Sequence, residues 1–585
     1  MSDAAADAAA GKAAAPALPA AVWSAAPVPE AAEALAADLP RWLAVLLARR
    51  GVDDRAAAER FLNPALDQLH DPGRLYGLAA AVERLVAARD GGEEVAIVGD
   101  YDVDGVTSTA LLSAAFAFCG LTSHPILPHR MREGYGFQPV HVERAAELGC
   151  RLIVTVDCGV SSTEAVTAAG AAGLDVVITD HHLPGDDLPA GTLLVNPRQE
   201  LCDYPFAGLA GVGLAFKLAL AFSAACGKPI PPEPLLRVAC LGTIADMAPL
   251  VDENRAIAAL GLAALGDTPS VGLQALFRRA GVEPPFAAAD VGFRLGPRLN
   301  AAGRLDDASG ALELLMTRDR RRAEELAERL DALNRERQGE ERRVVEEARE
   351  LLLARRPLPP IAVAWAEGWH RGVVGIAAGR IARELSRPAV LLAIEEGEAV
   401  GSGRSVPGIA LHDFLVRWQD DLARFGGHDQ AVGLTVDLGG AGGGGGIAAL
   451  ETLRDAWEEA GQEWPAELLA PRHEYELELA PREVTKRFLR QLSRLEPHGV
   501  ANPQPLVRVG PLTLDGAPRI FGSGKRHLSA VAAGADGGRF GLVGWRWAEE
   551  EKVDKLGGSF EVLGYLEEDT YRKTVRLRLV DARPA

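Results

Sequence analysis

Three apolar stretches between Val95 and Thr179 each run out into residues that can hold a cation or move a proton. VAIVG leads into Asp100, Asp102 and Asp104 in GDYDVDG; RLIVTV ends at Asp157; DVVIT ends at Asp180, His181 and His182. Three carboxylates within five residues repel one another. Alternate side chains of an extended segment point the same way, so this spacing predicts one acidic face, tolerable when divalent cations neutralise it. Oxygen donors suit Mg²⁺ or Mn²⁺. A solvated acidic turn is the plainer alternative, and a calcium-binding EF-hand loop fails because no Glu stands at its twelfth position. An apolar strand terminating in Asp-His-His is harder to explain by packing. Consecutive side chains diverge, so one histidine is expected to ligate an ion while the other faces a phosphate. Asp246, in VACLGTIADMAPL, is a further acid that means little alone.

Residues 95–195 alternate short apolar runs with helical stretches, which is the grammar of a parallel α/β sheet. Such sheets place ligands at the carboxyl ends of their strands, where the acids and histidines stand. From Arg318 to Arg356, Glu and Arg are dense and apolar residues recur at helical intervals. One helix over that span would measure about 57 Å, enough to bridge two domains, and Pro357, Pro359 and Pro360 stop it. A second α/β unit follows, from the strand IAVAWA through GVVGIAAGRIARELS to PAVLLAI. The glycine-rich run 439–446 reads as a surface insertion, because no Lys-Ser/Thr follows it as in a phosphate loop. From His473 short strands separated by turns predict a small β-barrel of the OB type. In TVRLRLV, Arg576 and Arg578 alternate with apolar residues and offer cations on one face. Trp545 and Trp547 flank Arg546 in strand register and could stack bases. Lys525 and Arg526, in FGSGKRHL, are the better phosphate candidates.

At 585 residues the chain is too long for a single core. The division expected is an Ala/Pro-rich disordered tail and lead-in (1–44), a catalytic domain (45–285), a connecting segment with the long helix (286–356), an α/β substrate-binding domain (357–470) and the β-barrel (471–585). No apolar run reaches the roughly 20 residues of a membrane span, which points to a soluble chain. Asp3 and Asp7 stand where a secretory leader would be basic. Six scattered cysteines without metal-binding spacing read as reduced thiols in a cytoplasm, with no structural disulfides. The net charge of −19 argues against a polyanionic partner. Locally the objection weakens: residues 471–585 carry 19 Lys and Arg against 16 Asp and Glu, leaving −22 for the rest.

Together, GDYDVDG, Asp157, Asp180-His181-His182 and Asp246 resemble the DHH phosphoesterase superfamily. PHRMREGYGF, GPRLNAAGRLDDA, GWHRGVVGIAAGRIA, GSGRS and FGGHDQAVG are similar to its branch of single-strand-specific 5′ to 3′ DNA exonucleases, over about residues 45–585. In that branch a DHHA1 domain carries a GGHxxAAG-type signature, and here Val432 replaces its second alanine. The resemblance implies that Asp102, Asp104, Asp157, His181 and Asp246 hold two Mn²⁺ or Mg²⁺ ions, with Asp157 bridging and Asp100 on the first ion. His182 would face the scissile phosphate, and Asp157 and His182 are the catalytic pair. Arg130, Arg298, Arg304, Arg371, Ser402, Arg404 and His428, inside the matched segments, become candidate phosphate contacts beside Lys525 and Arg526. It further implies a cytoplasmic, monomeric enzyme of DNA recombination and repair that acts on single-stranded DNA. A single-strand-binding protein and a RecQ-type helicase are the partners such an activity would meet.

Three other readings compete. DVDGV fits the signature of haloacid-dehalogenase-type phosphatases, with Asp102 as nucleophile, but leaves Asp157 and Asp-His-His unexplained. A DHH phosphodiesterase acting on short oligonucleotides or cyclic dinucleotides would share the metal ligands; the long helix and the barrel favour a polymer. A non-catalytic scaffold should have lost ligands, and every expected ligand is present.

Overall fold

Strands Val95–Gly99 (β1) and Leu152–Val156 (β3) are buried along their whole length, which is why their sequences are unbroken apolar runs. With Ser123–Ile126 (β2), Asp175–Thr179 (β4) and Leu193–Val195 (β5) they form a parallel sheet of order β2-β1-β3-β4-β5. Alternate side chains of β1 face opposite cores, Val95 and Ile97 on one side, Ala96 and Val98 on the other. The chain leaves β1 for β2 on one flank and returns to β3 on the other. This reversal opens a crevice at the carboxyl ends of β1 and β3, where Asp100 and Asp157 stand.

The computed structural model describes residues 19–585 except 131, 186, 306, 440–445, 551 and 570. The expected tail at 1–18 and most of the glycine-rich run lie outside the described residues. Two compact units result, one of Ala25–Asn334 together with Glu474–Ala585, the other built from Arg335–His473. In the first, helix Val103–Cys119 (α1) follows β1, and helices Gly211–Ala225 (α2) and Pro232–Ala245 (α3) pack behind the sheet. No helix is long and apolar enough to cross a membrane among the described residues.

The C-terminal strands are Leu477–Leu479 (β11), Val507–Leu514 (β12), Arg519–Phe521 (β13), His527–Ala533 (β14), Arg539–Gly544 (β15), Phe560–Asp569 (β16) and Thr574–Pro584 (β17). Their order is β11-β12-β16-β17-β15-β14-β13, and β12 also pairs with β14. The lead-in is folded, which corrects the expectation of disorder up to residue 44. Val22–Ala25 is a strand, and Ala31–Leu35 and Arg41–Ala48 are helices. Leu43, Leu46 and Leu47 share an apolar core with Val507, Val509 and Leu577. The Arg255 guanidinium, 2% exposed, lies 3.9 Å over the Phe61 ring and donates to the carbonyls of Phe61, Leu495 and Glu496. A cation buried mainly among carbonyls, with Glu496 as the nearby charge that favours it, needs those acceptors.

The long helix is Arg320–Leu353 (α4), 34 residues against the 39 of the expected span 318–356. Leu326 and Leu330 enter the core of the first unit; Val344, Val345 and Leu352 enter that of the second. There Ala362–Glu367 (β6), Ala389–Glu395 (β7), Glu398–Arg404 (β8), Arg424–His428 (β9) and Ala431–Asp437 (β10) form a sheet of order β9-β10-β8-β7-β6. Helix Arg371–Leu385 (α5) packs on β7 and β8.

Candidate metal centre

Asp100 leaves the end of β1 with 3% exposure. The segment that follows is not extended: Asp102 caps α1, accepting from the amides of Asp104 (2.9 Å) and Gly105 (3.1 Å), and Asp104 already lies in the first helical turn. The three acids therefore do not share one face, because the cap turns the chain between them. Asp104, 1% exposed, accepts 2.7 Å hydrogen bonds from the amides of Gly211 and Val212 at the start of α2. A Cβ on Gly211 would stand 2.6 Å from that of Asp157, so only glycine lets α2 approach this closely. Asp157 follows β3 with φ +60°, a left-handed conformation that turns its carboxylate back over the strand ends. Asp246 caps the C-terminus of α3.

Three groups result, with ligand atoms inside each lying within 4.8 Å of one another: Asp100, Asp102 and Asp157; Asp104, His181 and Asp246; and Asp157, His181 and His182. Asp157 joins them. His181 Nε2 lies 3.1 Å from its Oδ1 and 3.9 Å from Asp104 Oδ2 and from Asp246 Oδ2. His181 Nε2 and Asp100 Oδ1 are buried and make no hydrogen bond. Such orphaned atoms call for a partner the protein does not supply.

Electrostatics point the same way. Burial, then the Asp102 charge, pushes Asp100 up to about 8 and Asp246 up to about 7. Asp104 and Asp157 are driven well above the carboxylate range by burial and by neighbouring acids. Burial and the neighbouring His182 push His181 down to about 4, so its imidazole is a neutral donor. None of the five acids forms an ion pair with Lys or Arg among the described residues. Carboxylate oxygens with one neutral imidazole are the donor set of Mn²⁺ or Mg²⁺. The residues present fit such ions.

His182 borders the cluster, its ring 4.6 Å from that of His181, and has partners of its own. Its Nδ1 lies 2.7 Å from Asp180 Oδ1, and Tyr135 Oη lies 3.1 Å from its Nε2. Burial opposes charge on this ring, but the hydrogen bond and charge of Asp180 outweigh it and raise His182. Asp180 is itself fixed by the amides of Val160 and His182. A cavity of about 310 Å³ opens beside the pair, lined by Tyr135, Gly159, Ser162 and His182.

The arginines divide. Arg130 lies over the Tyr101 ring at 5.1 Å, and Arg130 and Arg304 both act on the Tyr101 phenol, directly after Asp100. Arg298 pairs with Asp331 (2.9 Å) and donates to the carbonyl of Arg294. Arg371, Ser402, Arg404 and His428 belong to the second unit. Arg404 donates to Ser402 Oγ at 2.6 Å, and both pack on Gly375 of α5; Arg371 opens that helix, and His428 is exposed at the β9–β10 hairpin. Lys525 and Arg526 are exposed between β13 and β14.

The tryptophans and the last strand differ from expectation. β15 ends at Gly544, so Trp545 and Trp547 lie in a turn, not in strand register. Trp547 is core; Trp545 is 47% exposed, edge-on to His527 and Phe521. Arg576 and Arg578 do not offer free cations: Glu567 pairs with both, and Arg578 also lies over the Tyr565 ring. Asp180 was singled out in the sequence without a role of its own, and Tyr135 and Arg198 were not singled out at all. Arg198 acts on His181 and Asp246 through its charge, and Asn196 accepts from its amide while donating to the His182 carbonyl. Only the fold brings these residues to the crevice; the sole local hint was Asp180 inside Asp-His-His.

Three family descriptions match the chain: the N-terminal domain of the DHH family over residues 94–243, the DHHA1 domain over 359–460 and the RecJ OB domain over 475–581. The single-stranded-DNA-specific exonuclease RecJ of Bacillus subtilis is 36% identical over 547 residues, covering 92% of this chain and 67% of its own length. That of Escherichia coli is 36% identical over 530 residues, covering 86% and 88%. The crystal structure of RecJ from Thermus thermophilus in complex with Mn²⁺ superposes with a TM-score of 0.78 at 30% identity, over 96% of this chain and 79% of that one. The Mg²⁺ complex of the same protein gives 0.73 at 29%, over 96% and 78%.

Proposed function

Because this chain belongs to the RecJ family, whose named members are single-stranded-DNA-specific exonucleases, we propose that it hydrolyses single-stranded DNA in the 5′ to 3′ direction. It releases 5′-mononucleotides and works with two divalent cations, Mn²⁺ or Mg²⁺. The observation that carries this reading is the cluster of five carboxylates and His181 at the sheet's reversal point, with Asp100, Asp104 and Asp157 buried and no ion pair to Lys or Arg among the described residues.

Asp100, Asp102 and Asp157 would hold one ion; Asp104, Asp157, His181 and Asp246 the other. When bound, such ions acidify an attacking water and stabilise charge developing on the phosphoryl oxygens. The chain's own groups do the rest. His182, oriented by Asp180 and Tyr135, presents a ring N–H to a phosphate oxygen. Arg130, Arg304 and Arg198 surround the crevice with guanidinium forks that suit phosphate. The second unit would add Arg371, Ser402, Arg404 and His428, and the C-terminal sheet Lys525, Arg526 and a stacking face at Trp545. In this reading the chain acts as a cytoplasmic monomer in recombination and repair. A RecQ-type helicase would open the duplex, and single-strand-binding protein would coat the substrate.

The test uses purified protein with Mn²⁺ or Mg²⁺ and DNA labelled at either end. Mononucleotides should appear from the 5′ end of single strands, with blunt duplex resistant and Asp157→Ala inert. Digestion from the 3′ end, equal attack on duplex, or activity in the variant would overturn the reading. Rapid cleavage of dinucleotides beside inert long strands would favour the short-oligonucleotide alternative.

A further inference from the structure

Helices α1 and α2 run side by side in the same direction. At their heads Asp104 of α1 accepts from Gly211 and Val212 of α2. Near their tails the Phe116 and Phe222 rings meet edge-on, 5.2 Å apart. The offset between partners stays at 106 to 108 residues from end to end, so the next turn faces Cys119 with Cys226. Cys226 packs against the core that holds Cys119, and Arg89 of helix Leu78–Gly91, which donates to Asp90, lies near the pair. Lys228 adds a second cation close to the pair. Cys119 is 3% exposed and Cys226 partly exposed. Of the other four cysteines, Cys158 and Cys240 are buried with their sulfurs on backbone carbonyls, Cys202 accepts from the Tyr76 amide, and Cys150 is buried in a separate core.

We propose that Cys119 and Cys226 form an oxidation-closed clamp, a thiol pair that a low-molecular-weight disulfide converts into a protein disulfide joining the tails of α1 and α2. Cys226 is the entry point, because it is the more exposed of the two and a disulfide reagent must reach the sulfur it exchanges with. Its thiolate attacks one sulfur of the reagent, forming a mixed disulfide and expelling a thiolate that takes up the proton Cys226 released. Cys119 then gives up its proton and attacks the Cys226 sulfur, which expels the second small thiol. Two protein thiols are oxidised and one reagent disulfide is reduced to two thiols. In a reducing cytoplasm the pair rests open. Closure ties the two helices together about 22 Å from the Asp104 end. It therefore stiffens the frame of the crevice without altering its donors.

The experiment treats the full chain with oxidised glutathione and maps its peptides without reduction. Wild type should yield a Cys119–Cys226 cross-link that dithiothreitol removes, and the oxidised chain should melt at a higher temperature than the reduced one. Cys119→Ser should stop at a glutathione adduct on Cys226 and show no such rise; Cys119→Ala serves if the serine variant fails to fold. A wild-type map with an adduct but no cross-link would overturn the proposal. So would linkage of Cys226 to another cysteine, or a cross-linked chain that melts no higher. Nuclease activity is not a readout, so this test stands apart from that of the catalytic reading.

Discussion

Two charged regions of the first unit were assembled on opposite rules. At the mouth of the parallel sheet, five carboxylates converge with no Lys or Arg paired to them among the described residues. On the C-terminal sheet, Arg508, Arg576, Arg578 and Arg583 each find a carboxylate across the strands, in Glu561 or Glu567. Arg576 stands directly opposite Glu567 in the β16–β17 register. The first arrangement is intolerable unless something outside the chain completes it; the second is complete as it stands. Net charge reverses the two. The acidic part of the chain repels DNA on paper yet holds the crevice of unmatched charge, whereas the arginine row of the basic C-terminal sheet is spent on neighbouring carboxylates. A site is marked by charge that the fold leaves unmatched, wherever the totals fall.

The largest effect should come from removing the residue that the proposed ligand sets share between the two ions. Asp157→Ala is expected to cost at least about a thousandfold in kcat, roughly 4 kcal/mol of barrier, with the chain still folded by circular dichroism. Retention of activity would mean that the two groups do not act as one site. Cations themselves should come next. If they complete the cluster they bind only the folded chain, so Mn²⁺ at about 100 times its Kd adds roughly 2.7 kcal/mol of stability. Calorimetry should show Tm rising with Mn²⁺ and falling with chelator in the wild type, and no such dependence in Asp157→Asn.

The crevice was legible where local sequence dictates local structure. Strands buried on both faces announce themselves as apolar runs, and a hydrophilic residue at the end of such a run has nowhere to go but the crevice. Asp100, Asp157 and the Asp180-His181-His182 run were placed at the crevice that way, while the choice of His181 as the ligand came through the resemblance. The partition of the acids was not, because it depends on α1 starting at Val103 and turning Asp104 toward α2, a fact of capping and of Gly211 across 107 residues of chain. Asp246 could be placed only through the resemblance. The attachment of the lead-in to the C-terminal sheet left no local trace either, since Arg50 meets Glu476 and Asn502 more than 420 residues away. The arginines of TVRLRLV misled for the same reason: their partners lie on the neighbouring strand, and a pattern of two shows which face a side chain takes, not what it meets there.

A smaller effect should separate residues that would touch substrate from those that position them. Asp180 meets no expected ligand atom; it holds His182. Asp180→Asn keeps the shape and loses the charge that raises His182, and is expected to lower kcat by about 10- to 100-fold, the usual cost of a supporting partner. Cation-dependent Tm should be untouched. A collapse of the Mn²⁺ response in this variant would make Asp180 part of the metal cluster instead, and would erase the distinction between His181 and His182.

The smallest effect tests the matched side. Glu567→Gln leaves Arg576 and Arg578 without their shared carboxylate, at a partly exposed position where an ion pair is worth up to about 1 kcal/mol. Stability should fall by no more than that, and kcat on short strands should not change. Affinity for long single strands should rise slightly and become more salt-dependent, because guanidinium groups released from Glu567 can neutralise phosphates instead. A loss of DNA affinity would show that the paired row already contacts the strand, and that matched charge can be a binding surface as well as a structural one.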